Sequence, residues 1–305
     1  MQALAQLNAA FGQTSSKAGA ITFQSSPLGG ILAHLISGGH QASVALQGAQ
    51  VLSWQPAGHG EMLWLSPMAK LGTGTAVRGG IPVCWPWFAA HPQDLAKPLH
   101  GFVRTRTWEV VASAVAEGAA RLVLETETGP HDAALWPHSA EVKLEIEMGS
   151  ALRLSLSTRN TGVSALPLTQ ALHSYLRVGD IADVHVEGLD GRTYIDKVDA
   201  NSRKTQSSAE LRIDREVDRI YLGDTGRITL ADAALGRRIE IASGGSRSAV
   251  VWNPWMERSA RIADMGAGGY RTLLCIETAN AGDDTIRLEP GSVHTLGASL
   301  SVAAG

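Results

Sequence analysis

A histidine, a glutamate and an arginine carry the chemistry legible in this chain. They sit in three segments far apart: Ala76-Val77-Arg78-Gly79-Gly80-Ile81-Pro82, Ala171-Leu172-His173-Ser174-Tyr175 and Leu274-Cys275-Ile276-Glu277-Thr278. The unperturbed pKa of histidine suits proton transfer near neutrality, so His173 needs little tuning to act as a general acid or base. Across Leu168–Arg177 a period of two puts Leu168, Leu172 and Leu176 on one strand face and Thr169, His173, Tyr175 and Arg177 on the other. The second face is polar and aromatic, as a cleft lining would be; a solvated strand face whose histidine does nothing fits the same pattern. Glu277 closes the apolar run Leu273-Leu274-Cys275-Ile276. A carboxylate there must be hydrogen-bonded, paired or functional, because an unpartnered buried one is costly. An ion pair with an arginine accounts for it locally; in one cleft with His173 it becomes a general base.

The arginines suggest an anion. Arg78 precedes Gly79-Gly80 and then Ile81-Pro82-Val83-Cys84-Trp85-Pro86-Trp87-Phe88, where two prolines forbid a central strand and two tryptophans supply flat apolar surface. The glycines let the backbone turn tightly beside Arg78. In His100–Trp108, alternation predicts Arg104 and Arg106 on one face with Phe102 and Trp108. A guanidinium among aromatics is either snorkelling or gripping an anion, and its planar fork suits phosphate oxygens. Asp218 could accept hydrogen bonds from ligand hydroxyls, although its neighbour Arg219 offers a local ion pair. The ten histidines show no H-x-H, H-E-x-x-H or Cys/His cluster at ligand spacing, so no metal or other cofactor is expected. Gly266, Gly268 and Gly269 have no strand leading in and no helix following, which excludes a nucleotide loop.

Strands must position these residues. Val142, Leu144 and Ile146 alternate with Glu141, Lys143, Glu145 and Glu147, and Leu152, Leu154 and Leu156 alternate with Arg153, Ser155 and Ser157. Similar runs recur at 41–47, 50–55, 61–65, 121–126, 183–189, 227–230, 237–242, 248–253 and 293–302, punctuated by Gly, Pro, Asn or Asp. This predicts an all-β antiparallel sandwich or barrel with little helix, at most short pieces near residues 1–11 and 257–263. A chain of 305 residues that is 44% hydrophobic can bury a full core. Without a linker, repeat or low-complexity tract, residues 1–305 read as one β domain, with 1–20 a helical or loosely ordered N-terminal extension.

A net charge of -3 and scattered basic residues argue against nucleic acid. No segment approaches a membrane span, and the N-terminus lacks a signal-peptide pattern. Cys84 and Cys275 lie in apolar runs and read as buried thiols, which fits a cytoplasmic protein.

Taken in order, Arg78-Gly79-Gly80-Ile81-Pro82, His100-Gly101-Phe102-Val103-Arg104, Ala171-Leu172-His173-Ser174-Tyr175, Glu216-Val217-Asp218-Arg219-Ile220-Tyr221, Val251-Trp252-Asn253-Pro254-Trp255 and Cys275-Ile276-Glu277 resemble the glucose-6-phosphate 1-epimerases, the hexose-6-phosphate mutarotase branch of the aldose 1-epimerase family. The resemblance runs through about residues 30–300. It implies a galactose-mutarotase-like β-supersandwich with a shallow sugar cleft, no metal, and exchange of the α and β anomers of a hexose 6-phosphate; the sequence leaves the oligomeric state open, with a monomer favoured. Carried onto this chain, it makes His173 the general acid at the ring oxygen and Glu277 the base at the anomeric hydroxyl. Arg78 and Arg104 become phosphate ligands, and His100 and Asp218 substrate-binding residues. Two departures stand out: Thr278-Ala279 follows the glutamate where many relatives have Pro-Gly, and Leu99 replaces a polar residue before His100.

Ring opening needs a proton delivered to the ring oxygen and another removed from the C1 hydroxyl. The imidazole and carboxylate are therefore expected to face one another across a space the size of one pyranose. Two other readings use the same residues differently. An epimerase of unphosphorylated sugars does not need Arg78 and Arg104 to converge; a noncatalytic carbohydrate-binding sandwich would stack sugar on Trp85 and Trp87.

Overall fold

The computed structural model describes residues 4–15, 17–72 and 74–304. Their strands form sheets of nine, eight, five and two strands, and every pairing of strands is antiparallel. Alternation explains which face goes inward. In Ala140–Met148 every odd-step apolar residue is buried while Glu141 and Lys143 are exposed. Leu144 and Ile146 join a core that runs from Leu7 to Leu300. Each leucine or isoleucine so buried stabilises the fold by roughly 1.5–3 kcal/mol relative to an exposed one.

The N-terminal helix lies within the segment expected to be helical, whereas two other elements differ from the sequence reading. The N-terminal helix spans Leu4–Phe11. Asn8 ties it down by accepting from the Phe23 N–H at 2.9 Å and donating to the Phe23 carbonyl at 2.8 Å. Residues 61–65 make only the isolated bridges Leu63↔Leu176 and Leu65↔Gly79. The reason is Glu61, whose carboxylate accepts from the Trp54 and Leu63 N–H groups, each at 2.9 Å, and so takes donors a ladder would use. The second helix is Trp255–Ser259, slightly before the segment expected. No helix among the described residues is long and apolar enough to cross a membrane.

The eight-stranded sheet matters most. Its order is Ser202–Thr205, Thr193–Asp196, Val217–Leu222, Ser248–Asn253, Leu273–Asn280, Gln170–Leu172 and Val83–Cys84, with Tyr175–Arg177 also paired to Leu273–Asn280. All eight residues of Leu273–Asn280 are buried, because both faces are covered. Leu274 and Ile276 enter the main core. Cys275 points the other way, into a smaller cluster with Trp64, Tyr175 and Met265. Cys84, Ala171, Ile220, Val250 and Ala279 form a second small cluster. Cys84 and Cys275 are both free and buried.

Gly79 and Gly80 thread the Arg78 segment between two other segments. The Gly80 N–H donates to the Trp64 carbonyl at 2.8 Å, and the Ile81 N–H to the Val51 carbonyl at 2.8 Å. Gly80 has φ of 61°, and a Cβ there would sit 2.1 Å from the Val51 carbonyl oxygen. Backbone strain of about 1–2 kcal/mol adds to that clash. Gly80→Ala is expected to destabilise the protein by ~2 kcal/mol or more, read as a lower urea midpoint; an unchanged midpoint would show that the segment can shift.

Candidate active site

Strand register brings His173 to Glu277. Leu172 pairs with Thr278 and Tyr175 with Cys275 in one continuous register, so His173 and Ser174 between them lie across from Glu277 and Ile276. The pairing breaks there because the Ser174 N–H turns back to the Leu172 carbonyl at 3.0 Å, while the Ile276 N–H still reaches the Ser174 carbonyl at 3.2 Å; the His173 N–H donates to the Pro82 carbonyl at 3.0 Å on the strand's other edge. His173 Nε2 stands 3.4 Å from Glu277 Oε1, and their side chains are 8% and 1% exposed. That spacing is long for a charge-assisted hydrogen bond.

This geometry corrects the expectation that a pyranose fits between the two groups. They are side by side on one sheet face, so a sugar would lie over the pair. Such a placement still matches the chemistry, since the two oxygens that exchange protons in ring opening are bonded to one carbon. Glu277 is also not the end of its strand, which continues to Asn280. Thr278 extends it regularly, its hydroxyl 2.9 Å from that of Ser243. The arginine ion pair that would have explained Glu277 locally does not occur: its ion-pair partner is His173, and Oε2 is buried with no protein hydrogen-bond partner among the described residues. Such a group costs about 1–3 kcal/mol and calls for a functional reason.

Burial, reinforced by Asp218, pushes the Glu277 carboxyl well above its usual range. Burial also drives the His173 imidazole well below its usual value, and the His100, Arg104 and Arg78 charges add to that. The pair therefore holds a single proton near neutrality, on one partner or the other, and titrates as a unit.

His100 meets His173 edge-on at 5.5 Å between ring centroids. Its backbone is in the left-handed region, φ 62°, a conformation that costs energy and clusters at functional sites. The Ala89 N–H donates to His100 Nδ1 at 3.1 Å, so the ring's proton resides on Nε2. Burial first, then the Arg104 and Arg78 charges, lowers its pKa to about 3. A depressed folded-state value means that this contribution to stability is whole above about pH 6.5 and is lost as pH falls toward the folded-state value, at no more than ~1.4 kcal/mol per pH unit. His100→Gln is expected to flatten the loss of denaturant stability on acidification below about pH 6.5. Parallel curves for variant and parent would mean that His100 is protonated when folded.

Arg78 reaches the same site. Its Nε donates to Asp264 Oδ1 at 2.7 Å and its Nη1 to the Tyr175 hydroxyl at 3.2 Å. Arg104 and Arg106 do not share a face, contrary to the alternation. Val103–Thr105 is a turn of 3-10 helix, whose period is three. Arg104 consequently sits where its charge acts on His173 and His100. Arg106 turns away to Asp132 at 2.6 Å and over the Phe102 ring. The Leu99 side chain is exposed, whereas its carbonyl accepts from Arg104 Nη2 at 2.6 Å, a contact any residue could make.

Asp218 faces the site, opposite Trp252, and its carboxyl is raised by burial. Arg219 points to the other face, against Gln206 and the Tyr194 ring, so the local Asp218–Arg219 pair does not form. Trp85 and Trp87 are buried, their indole N–H groups donating to Thr158 and the Pro98 carbonyl. They cannot stack on sugar. The aromatic rings around His173 are Tyr175 and Trp252. Asp264 was missed because it is in a loop with no pattern; Trp252 could have been found from its place on the strand beside Glu277. A separate groove of about 690 Å³ opens on the nine-stranded sheet, lined by Arg106, Glu109, Glu127, Lys143 and Arg159 among others, and none of His173, Glu277, Arg78, His100, Arg104 and Asp218 borders it.

Comparison with known proteins shows the family. A Salmonella typhimurium protein is 38% identical over 242 residues, covering 79% of this chain and 80% of its own, and an Escherichia coli protein is 37% identical over 244 residues, covering 80% and 81%. Both are named "Putative glucose-6-phosphate 1-epimerase". A Salmonella typhimurium crystal structure of a "putative mutarotase" superposes with a TM-score of 0.87 at 31% identity, covering 96% of each chain. A galactose mutarotase-like protein from Clostridium acetobutylicum, at 13% identity, shares the fold with a TM-score of 0.73 over 95% of this chain and 100% of its own. The model of one family, aldose 1-epimerase, matches residues 32–301. With that match added to the relatives and to the sheet that carries His173 and Glu277, this chain belongs to the aldose 1-epimerase family.

Proposed function

We propose that this protein exchanges the α and β anomers of a hexose 6-phosphate, glucose 6-phosphate in the first place. The observation that carries the reading is the buried His173–Glu277 pair, 3.4 Å apart, with Arg78 joined to the same face through Tyr175. His173 as imidazolium gives its proton to the ring oxygen while Glu277 as carboxylate takes one from the C1 hydroxyl. The ring opens, the aldehyde rotates about the C1–C2 bond, and closure on the other face returns both protons. Opening converts the pair from imidazolium–carboxylate to imidazole–carboxylic acid, the form that burial favours, so the site stabilises the open-chain intermediate. Arg78 and Arg104 hold the phosphate, whose negative charge offsets their depression of the His173 pKa. His100 donates from Nε2, Asp218 accepts from hydroxyls, and Trp252 offers a ring edge to the sugar. No cofactor takes part in these steps.

One continuous core supports treating residues 1–305 as a single domain, and free buried thiols fit a cytoplasmic enzyme. Exchange NMR or polarimetry on glucose 6-phosphate and on glucose tests the reading. Faster exchange of the phosphate is expected; equal acceleration of both sugars would move the assignment to an unphosphorylated aldose, and no acceleration of either would end it. Because the pair needs one proton, kcat/KM should follow a bell in pH. Its acid limb is expected below about pH 6.5, the ordinary histidine value, since His173 is depressed. A limb above that value would contradict the buried-pair electrostatics.

A further inference from the structure

His173 lacks the usual means of fixing an imidazole that must deliver a proton. Such a ring is commonly oriented by a hydrogen bond at its second nitrogen. His173 Nδ1 is buried, and no side chain or backbone group of another described residue bonds to it. Its backbone is anchored on one edge only, by the N–H to the Pro82 carbonyl, and lies at the break between two pieces of strand. With Nε2 toward Glu277 at 3.4 Å, packing has to set the plane of the ring.

Among the rings around it, one lies flat against the imidazole, whereas His100 and Trp252 meet it edge-on. The Tyr175 ring lies parallel to the imidazole, 8° between planes and 4.6 Å between centroids. Behind it Trp64 stacks at 6.0 Å and 22°. Trp252 stands edge-on to both rings, at 6.2 Å from His173 and 6.1 Å from Tyr175. The Tyr175 hydroxyl meanwhile accepts from Arg78 Nη1, and Asp264 holds Nε of the same guanidinium. Resting on the proposed function above, we propose that Tyr175 is a positioning residue with two separable parts: its ring sets the plane of the His173 imidazole, and its hydroxyl sets the Arg78 guanidinium. The proton-transfer group and the anion-binding group are thereby located from one rigid ring.

The two parts come apart by mutation. Tyr175→Phe keeps the stack and deletes the hydroxyl. It should raise KM for glucose 6-phosphate by about 3- to 10-fold, the range of an ordinary hydrogen bond and below that of a direct contact with a charged group because the hydroxyl acts on the phosphate only through Arg78, and leave kcat and the glucose kinetics within about two-fold. Tyr175→Leu removes the flat ring and should lower kcat for both sugars by about 10- to 100-fold, since small misplacements of a catalytic group are that costly. Tyr175→Met, which fills the volume without a flat ring, carries the same expectation if Tyr175→Leu fails to fold. Recovery of kcat in Tyr175→Phe relative to Tyr175→Leu or Tyr175→Met is what a general packing role would not require. The inference is overturned if Tyr175→Leu or Tyr175→Met keeps kcat within about two-fold, or if Tyr175→Phe alters both sugars equally. The unsubstituted protein separates the two levels of the argument. Exchange of glucose 6-phosphate by the parent without the split among variants defeats this inference alone; no exchange by the parent defeats the functional reading as well.

Discussion

Glu277→Gln is expected to abolish most anomer exchange while leaving the fold as stable as before or more so. Glutamine keeps the volume and accepts a hydrogen bond but cannot take a proton, so the general-base share of catalysis, on the order of 10²–10⁴-fold, is lost. Stability moves the other way. A folded-state pKa raised above its unfolded value stabilises the protein at low pH, and that contribution disappears as pH rises through the raised value. At neutral pH the native carboxyl is thus a cost of burial, and a neutral isostere relieves it. His173→Gln should match the loss of activity, because the two groups act as one unit, and the double variant should be little worse than either single one. Polarimetry for rate and thermal unfolding for stability check both halves. Near-normal exchange in either variant would refute the pair, and a large fall in unfolding temperature for Glu277→Gln would show that the carboxylate is structural.

Arg78→Ala should weaken exchange of glucose 6-phosphate by about 10- to 100-fold in kcat/KM, the range for loss of a charge-assisted contact, with little effect on glucose. Arg104→Ala is expected to act in the same direction. Neither change leaves a buried charge unpaired: Asp264, the partner of Arg78, is 45% exposed and can hydrate. Lysine at position 78 should restore only part of the effect, since it lacks the fork that bonds Asp264 and Tyr175 at once. A second readout has a definite sign. Arg78 and Arg104 both depress His173, so removing either raises the imidazole pKa and moves the acid limb of the rate profile to higher pH. Equal losses on both sugars, or a limb displaced toward acid, would count against an anion role for these arginines.

The sequence made a good deal of this legible. Alternating runs such as Val142–Ile146 gave their strands directly, because a period of two has one physical meaning in a half-buried sheet. Segments 50–55 and 248–253 match observed strands residue for residue. The expectation failed where a side chain competes with the backbone for ladder bonds. Glu61 caps the donors of its own segment, and the turn of helix at Val103–Thr105 separates Arg104 from Arg106. Trp85 and Trp87 looked like sugar platforms because they are flat, yet indole burial in the core is worth more than display at the surface.

By itself, then, the sequence determined that the chain is built from antiparallel strands and which residue types could transfer protons or bind an anion, since periodicity and pKa are local properties. Only the tertiary structure decided that His173 and Glu277 are neighbours on one face, that Arg78 is joined to them through Tyr175, and that Asp218 faces the same side while Arg219 does not. Those relations depend on the register between strands about a hundred residues apart and on the solvent both sheet faces exclude. It is that exclusion, not the residue types, which shifts the histidine and the glutamate away from their ordinary proton affinities.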